Sequence, residues 1–347
     1  MAQFDPITAT EYNTLRTQTS NVVSSEYGRT MISDAVVGGS TPGVSDTVSE
    51  QQYIDLFLDA QAGYVHQTAN VSGDALITQF GANTPIEYSD VSDLNLIVSD
   101  IVGFNPTVSQ DFPSQNFSKS QLLTGLGVSV QSTRNGSISP WNGRINHRVT
   151  YNFVSNTAFN QYFAAGGLLN WQGSLTGGTT SDPLTKDGDW ARIISAAGEL
   201  QVGVIYTASN FEFNTISVSN NGTGFVNPLN TITVSSTPTT VAYRISGGYN
   251  NGTQNIYINN DFELLISVDS TSSPTQVILQ AQFNDDDTGT GFQIEPGEVG
   301  TPIDEQVTGL LTSTFYTTTP DSEFIVGTTT YPAIQQTPPT GTLNSNL

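Results

Sequence analysis

From about Leu122 onward, apolar and polar residues alternate in short runs that are separated by turn residues. Successive side chains of a β-strand point to opposite faces, so each run predicts a strand with one buried face. Many short strands without a regular alternation of strand and helix predict an antiparallel β-sandwich. The clearest runs are Val149, Tyr151 and Phe153; Val202, Val204 and Tyr206; Val241, Tyr243 and Ile245; Leu264, Ile266 and Val268; and Val277, Leu279, Ala281 and Phe283.

The first third of the chain carries helix signals instead. Thr8 and Glu11 have the spacing of a capping box, residues 48–53 repeat it, and Ser92 is placed to cap a third helix. The second helix has an amphipathic face, which needs a surface to pack on. We therefore predict a helical attachment segment over residues 1–118. The side chains expected to dock it are Tyr12, Leu15, Tyr53, Ile54, Phe57 and Tyr64.

Two similar glycine-containing stretches, AAGGL at 164–168 and AAGEL at 196–200, lie further along the chain. In each, residues with helical spacing precede the glycine and a strand pattern follows; Asp189 is placed to cap the second helix. Phosphate-binding loops have the opposite order, because their glycines precede a helix. We interpret both glycines as helix ends. The predicted fold is mostly β with α: the helical segment, then an antiparallel β-sandwich over residues 119–330 that carries two short helices.

The charge balance excludes some partners. Nine Lys and Arg residues stand against 31 Asp and Glu residues, a net charge of −22, which repels nucleic acid phosphates and disfavours anionic membranes. The chain has no cysteine, so thiol catalysis and disulfides do not occur. No apolar segment approaches the roughly 20 residues of a membrane span, and the first residues lack a signal-peptide pattern. We expect a soluble protein without membrane insertion.

Few residues have the pattern of a catalytic site. The two histidines, His66 and His147, are interpreted as a helix-end residue and a surface or interface residue. No pair of acids stands out for hydrolysis, so we expect a protein that is not an enzyme. Leu265 and Ile278 interrupt the polar face of their strands, which suits either a subunit contact or a cover by a loop.

Two further features have alternative interpretations. Asp285, Asp286 and Asp287 form an acidic turn that suits weak calcium binding or a solvated hairpin tip, and residues 181–189 are a second such turn. No other cofactor is predicted. Trp141, between turn residues, is placed either to contact a glycan or to cover the end of the sandwich. Trp171 and Trp190 lie in periodic elements and are predicted to be core residues.

Several segments together resemble a family of virion structural proteins from contractile-tailed cyanophages and related marine phages. These are ITATEYNTLRTQ, EYG and YVHQT near the start, RVTYNFVSNTAFNQYFAAGGLLNWQGSLTGG and DWARIISAAGELQVG in the middle, and DEQVTGLLTSTF near the end. The resemblance covers about residues 1–80, 145–205 and 304–315. It implies a non-catalytic particle component of the tail, baseplate or neck, assembled in the host cytoplasm and located in the virion.

These observations lead to two functional hypotheses. The first is a structural protein that assembles with other phage virion proteins through its N-terminal helices and its sandwich, as a three-fold or six-fold homo-oligomer. The second is a receptor-binding tail fibre module that grips a host glycan. The Pro- and Thr-rich stretch 331–347 is predicted to be an extended tail that lies along a neighbour.

Overall fold

The computed structural model describes most of the chain in separate stretches. Five α-helices lie within them: α1 (Ala9–Ser20), α2 (Glu50–Thr68), α3 (Tyr88–Gly103), α4 (Asn156–Ala164) and α5 (Lys186–Ala197). A π-helical turn, Asn21–Glu26, extends α1, and a 3-10 turn spans Leu229–Thr231. The described stretches are 9–26, 31–33, 48–68, 88–103, 125–164, 167–183, 185–207, 210–219, 221–247, 249–250, 255–286, 306–319, 323–326, 329–332 and 340–345.

The strands form two antiparallel six-stranded sheets, which confirms the predicted fold class. The first sheet contains, from edge to edge, β1 (Gly125–Asn135), β13 (Leu310–Thr319), β3 (Leu168–Thr176), β4 (Leu200–Thr207), β5 (Asn210–Ser217) and β7 (Val226–Pro228). The second contains β16 (Thr340–Ser345), β2 (Arg144–Asn152), β12 (Gln276–Asn284), β11 (Asp261–Val268), β8 (Thr240–Ser246) and β6 (Thr223–Gly224). Two hairpins complete the set: β9 (Tyr249–Asn250) with β10 (Asn255–Ile256), and β14 (Glu323–Val326) with β15 (Thr329–Pro332).

The sandwich core consists of the alternating residues that the sequence indicates. Trp171 on β3 stacks on Phe262 of β11, with ring centroids 4.2 Å apart, so large aromatic side chains join the two sheets. The Trp171 Nε1 group donates to Ser313 Oγ on β13 over 2.8 Å. Because these rings are fully buried, their burial is a large favourable term for this unit.

The helical unit comprises residues 1–125, 160–167 and 319–337. Its core holds buried apolar residues of α1, α2 and α3, and Asp59 of α2 is buried among them. This carboxylate accepts hydrogen bonds from Ile32 N at 2.9 Å and from Ser33 N at 2.8 Å, so it holds the stretch 31–33 against α2. Unlike the predicted single division near residue 118, this unit also contains two later stretches of the chain, 160–167 and 319–337.

The helix starts agree in part with the sequence patterns. Ser49 and Gln52 form the predicted capping box at α2: Ser49 N donates to Gln52 Oε1, and Gln52 N donates to Ser49 Oγ. Thr8 lies outside the described residues. Ser92 is not a cap, because α3 already begins at Tyr88. Asp189 is not a cap either: Thr185 caps α5 by accepting a hydrogen bond from Gly188 N.

The glycine interpretation is confirmed where the structure describes it. Gly198 follows α5 with a φ of 62°, and its N–H donates to Ile194 O, as expected of a helix end. Gly167 follows α4 and donates to Tyr162 O over 2.9 Å. Both helices are followed by strands of the first sheet, β4 and β3.

The prediction for the C-terminal stretch needs correction. The boundary at 331 divides the β14–β15 hairpin, whose residues cluster with the helical unit. β16 is extended, as predicted, but it pairs with β2 of its own chain, from Thr340 opposite Asn152 to Ser345 opposite His147. The stretch therefore completes the second sheet.

Candidate functional site

The sandwich exposes a group of apolar side chains where the edges of its two sheets meet. The exposed fractions are 40% for Ile216, 53% for Val218, 38% for Phe225 and 50% for Val226. We call these four residues the apolar corner. Phe225 is the single residue between β6 and β7, so the chain passes there from the edge of the second sheet to the edge of the first.

Strand geometry places two of the four residues, Ile216 and Val226, on one face. On β5, Phe213 and Thr215 are buried, so Ile216 points to the opposite, outer face. Val226 pairs with Asn214, and paired residues project to the same side of a sheet, so Val226 lies on that outer face as well. Gly224 has no side chain, and this allows the backbone to lie close to β5. A Cβ at this position would collide with Thr215 O.

The four residues of the apolar corner are themselves uncharged, as is every residue from Phe213 to Tyr243, although the chain as a whole has a net charge of −22. Charged residues border the corner: Glu212 lies on the same face of β5 as Ile216, and Arg244 pairs with Thr223 of β6. Exposed apolar groups that form a contiguous patch are typical of interaction sites.

The predicted subunit contact at Leu265 and Ile278 is wrong. Both side chains are buried, and β11 and β12 are buried on both faces along most of their length. The stretch 233–236 bonds to this sheet: Ser267 Oγ donates to Ser235 O over 2.8 Å, and Arg148 Nη1 donates to Ser236 O over 2.7 Å. The alternative interpretation, a face covered by a loop, agrees with these contacts.

The predicted docking residues are used inside the helical unit. Tyr12, Leu15, Tyr53 and Phe57 are buried there, and Ile54 and Tyr64 are half-buried. The four buried side chains cannot form a docking face without unfolding the unit, so the prediction is corrected for Tyr12, Leu15, Tyr53 and Phe57; for Ile54 and Tyr64 it stays a prediction. Among the described residues of this unit, the exposed large apolar side chains are Ile32, Leu96 and Val102.

Trp141 does not offer a glycan-binding surface. It is buried, with its ring 5.0 Å from that of Trp190 and 6.5 Å from that of Phe283. Its backbone N–H donates to Val307 O over 3.2 Å, which fixes the segment that bears it. The alternative, a tryptophan that covers the end of the sandwich, is confirmed.

The acidic turn after β12 is organised around a lysine. Asp285 is fully buried, and its Oδ2 lies 3.1 Å from the Nζ of Lys186. Asp286 is exposed, and Asp287 lies outside the described residues. Within the described stretches, no group of three or more metal-binding side chains comes together. Asp285 thus forms a buried ion pair with Lys186, and the calcium role of the acidic turn stays a prediction.

Lys186 and Asp285 share their surroundings with an amide. Lys186 has an exposed fraction of 1%, and its Nζ donates to Asn142 Oδ1 over 3.2 Å as well as to Asp285. Gly143 N, next to Asn142, donates to the same Asp285 oxygen over 3.3 Å. Three segments far apart in sequence thus meet at one amine nitrogen.

The second acidic turn is also structural. Asp187 is buried at the start of α5 and accepts hydrogen bonds from Thr308 N at 2.7 Å and Gly309 N at 3.0 Å. Burial raises the pKa of Asp187, but hydrogen bonds from Thr308, Thr179 and Gly309 outweigh burial and leave this pKa below its usual value. The carboxylate ties α5 to the start of β13.

His147 is a core residue, contrary to the surface position that we predicted. It is fully buried on β2, and its Nδ1 lies 2.8 Å from Ser313 Oγ on β13, so it links the two sheets. Its Nε2 has no hydrogen-bond partner in the described part of the chain. Burial lowers the pKa of His147 to about 4, because the charged ring would lose its hydration.

Sequence reasoning missed two of these features. The apolar corner had a signal in the long uncharged stretch. The site formed by Lys186, Asn142 and Asp285 had a weaker signal. The chain has two lysines, Lys119 and Lys186, and Lys186 lies near a predicted helix start, four residues before Trp190. Neither signal names the residues that complete the site.

Comparison with family models, with curated proteins and with solved structures gave no match for this chain. None of the helices in the described stretches is both long enough and apolar enough to cross a membrane.

Proposed function

We propose that this chain is a structural protein of a phage virion, a component of the tail, baseplate or neck, whose copies contact one another through the apolar corner. The observation that carries the proposal is the exposed group of Ile216, Val218, Phe225 and Val226 within an uncharged stretch of an acidic chain. The sequence motifs that resemble the virion proteins supply the location. Three-fold or six-fold symmetry is part of the proposal.

The occupant of the corner is a second copy of the chain. Burial of its four apolar side chains would release ordered water and remove exposed apolar surface, and these four residues bring no charge of their own into the contact. The edge strands β6 and β7 end at the same place, so a neighbouring edge can align there. Other virion proteins complete the assembly at the remaining surface.

The glycan-binding hypothesis lacks its predicted residue, because Trp141 is packed in the interior. No other described residue was predicted to stack on a sugar. We therefore propose the assembly function alone.

The test of the contact compares two double variants of the full chain. Ile216→Glu with Val226→Glu adds two charges to the corner. Ile138→Glu with Val154→Glu adds the same charges at side chains that are 81% and 97% exposed elsewhere on the sandwich. Sedimentation velocity should show at least about a tenfold weaker self-association for the corner pair, equivalent to about 1.4 kcal/mol, and no change for the control. Equal behaviour of both variants contradicts the contact.

The location in the particle needs a separate experiment. Antibody coupled to gold, raised against this protein, should label the tail, baseplate or neck of purified phage under the electron microscope. Label at fibre tips would favour receptor binding. A virion without the protein, confirmed by mass spectrometry, would refute the virion assignment whatever the self-association shows.

A further inference from the structure

We propose that Lys186 and Asn142 form an intramolecular isopeptide bond, with Asp285 as the catalytic acid and base. The proposal concerns the maturation of the sandwich itself and does not depend on a place in the virion. It is a modification site built from three side chains, and all the atoms that the reaction needs are present in this chain.

The geometry brings the reacting groups together. Lys186 Nζ lies 3.2 Å from Asn142 Oδ1 and 3.1 Å from Asp285 Oδ2. The carbon to be attacked, Asn142 Cγ, is bonded to that oxygen at about 1.2 Å, so the nitrogen lies near it, and the attack requires the amide to turn its face towards the nitrogen. Gly143 N holds Asp285 Oδ2 from the other side over 3.3 Å. The three groups are thus prepositioned by the fold.

The reacting groups are shielded from water. Lys186 and Asp285 have exposed fractions of 1% and 0%. Trp141, Trp190 and Phe283, which lie near the reacting residues in the sequence, are buried, and their rings lie within 6.5 Å of one another. The reaction needs the neutral amine, which forms when one proton passes from the ammonium to the carboxylate across their 3.1 Å contact.

The reaction balances without any other reagent. The neutral amine attacks Asn142 Cγ and forms the new C–N bond, while the carbonyl electrons move to Oδ1. The protonated Asp285 delivers its proton to the amide nitrogen and then takes one of the two protons of the attacking nitrogen, which keeps the other as the N–H of the new amide. The C–N bond of the original amide breaks, and ammonia leaves as the carbonyl re-forms. The ammonia takes the proton from Asp285 and departs as ammonium, so Asp285 ends as the carboxylate of the ion pair and no oxidation takes place.

The bond would replace a hydrogen bond between residues 44 positions apart by a covalent link. It joins the start of α5 to the segment between β1 and β2. A cross-link of this kind restricts the unfolded chain, so it stabilises the sandwich against heat and denaturant.

The experiment is intact-mass spectrometry of the purified full chain under denaturing conditions. The expected mass is about 17 Da below that of the sequence, since one ammonia is lost. A tryptic digest should contain peptide 135–144 joined to a peptide 149–192 that remains uncut at Lys186. Lys119→Arg serves as the matched control and should retain both the mass loss and the joined peptides.

Three variants assign the roles. Lys186→Arg, Asn142→Ala and Asp285→Asn should each have the full mass of their own sequence and no joined peptide. Asn142 is half-buried and lies between β1 and β2, so we expect Asn142→Ala to fold. This variant keeps the test valid if a change at the buried Asp285 prevents folding. Wild-type protein at its full sequence mass overturns the proposal.

Two other chemistries give similar masses and are distinguished. Asn142-Gly143 can close to a cyclic imide with the same loss of ammonia; that loss would persist in Lys186→Arg and would overturn the proposal. Condensation of Lys186 with Asp285 instead would release water, about 18 Da, and would join a different pair of peptides. That result also overturns the assignment.

Discussion

At the scale of single residues, the sandwich uses its rare polar and charged groups inside. His147, Asp187 and Lys186 are all buried, and each has a partner on another element: Ser313, Thr308 and Asp285. Buried polar groups cost free energy unless they are hydrogen-bonded, so these pairs define which elements meet. Residues that would be surface groups in most proteins therefore act here as specific links.

His147 makes stability depend on pH in a defined range. Its ring binds a proton below about pH 6.5 in the unfolded chain but only below about 4 in the folded one, so the free energy of unfolding falls as the pH drops from 6.5 to 4. The loss attributable to this ring reaches about 3 kcal/mol. Urea unfolding of the protein and of His147→Asn, which does not titrate, should show a steeper fall for the wild type in that range. Parallel curves would contradict this role.

At the scale of elements, α5 carries more of the organisation of the sandwich than any other helix there. Its first turn buries Lys186, Asp187, Gly188 and Asp189 together. Asp189 Oδ1 accepts from Arg192 over 2.8 Å, and Asp187 reaches the start of β13. A shift of α5 by one residue would rotate the helix about its axis. The rotation would separate the side chains of Lys186, Asp187 and Asp189 from their partners outside the helix.

Gly188 tests the fit of that first turn. A side chain here would collide with Asp182 O, so Gly188→Ala must displace either the helix or the preceding turn. We expect a loss of more than about 2 kcal/mol in the free energy of unfolding, measured with urea. Ser195→Ala, at an exposed position of the same helix, should instead stabilise by about 0.5 kcal/mol. A neutral Gly188→Ala would show that the turn adapts freely.

At the scale of the whole molecule, the chain returns to the sandwich with β16, after a stretch that belongs to the helical unit. It leaves the sandwich unit after β13, contributes β14 and β15 to the helical unit, and rejoins the sandwich with β16. β16 covers an edge of β2 that would otherwise present unpaired N–H and C=O groups. β16 is therefore the edge strand of the second sheet on this side.

Removal of β16 should show its contribution to stability. A chain that ends at Thr337 loses the pairing of residues 340–345 with β2, and we expect at least about 2 kcal/mol of destabilisation from lost hydrogen bonds, measured by urea unfolding. A chain that ends at Ser345 keeps the strand and should behave as the full chain does. Unchanged unfolding after the longer truncation would rule out the role of β16.

The sequence alone determined the classes of element and their approximate places. The alternation after Leu122, the capping box at Ser49 and the helix end at Gly198 are local signals, since each depends on neighbours within a few residues. The acidic charge and the uncharged stretch from Phe213 to Tyr243 are likewise properties of the chain itself.

Only the tertiary structure decided what the candidate residues touch. Trp141, Asp285 and Leu265 have the patterns of surface groups, yet each is buried, because its partners come from segments far away in sequence. The same holds for Lys186 and Asn142, which no local pattern connects. Burial is a property of the packed chain, so the pattern around a residue sets its conformation while distant segments set its chemical environment.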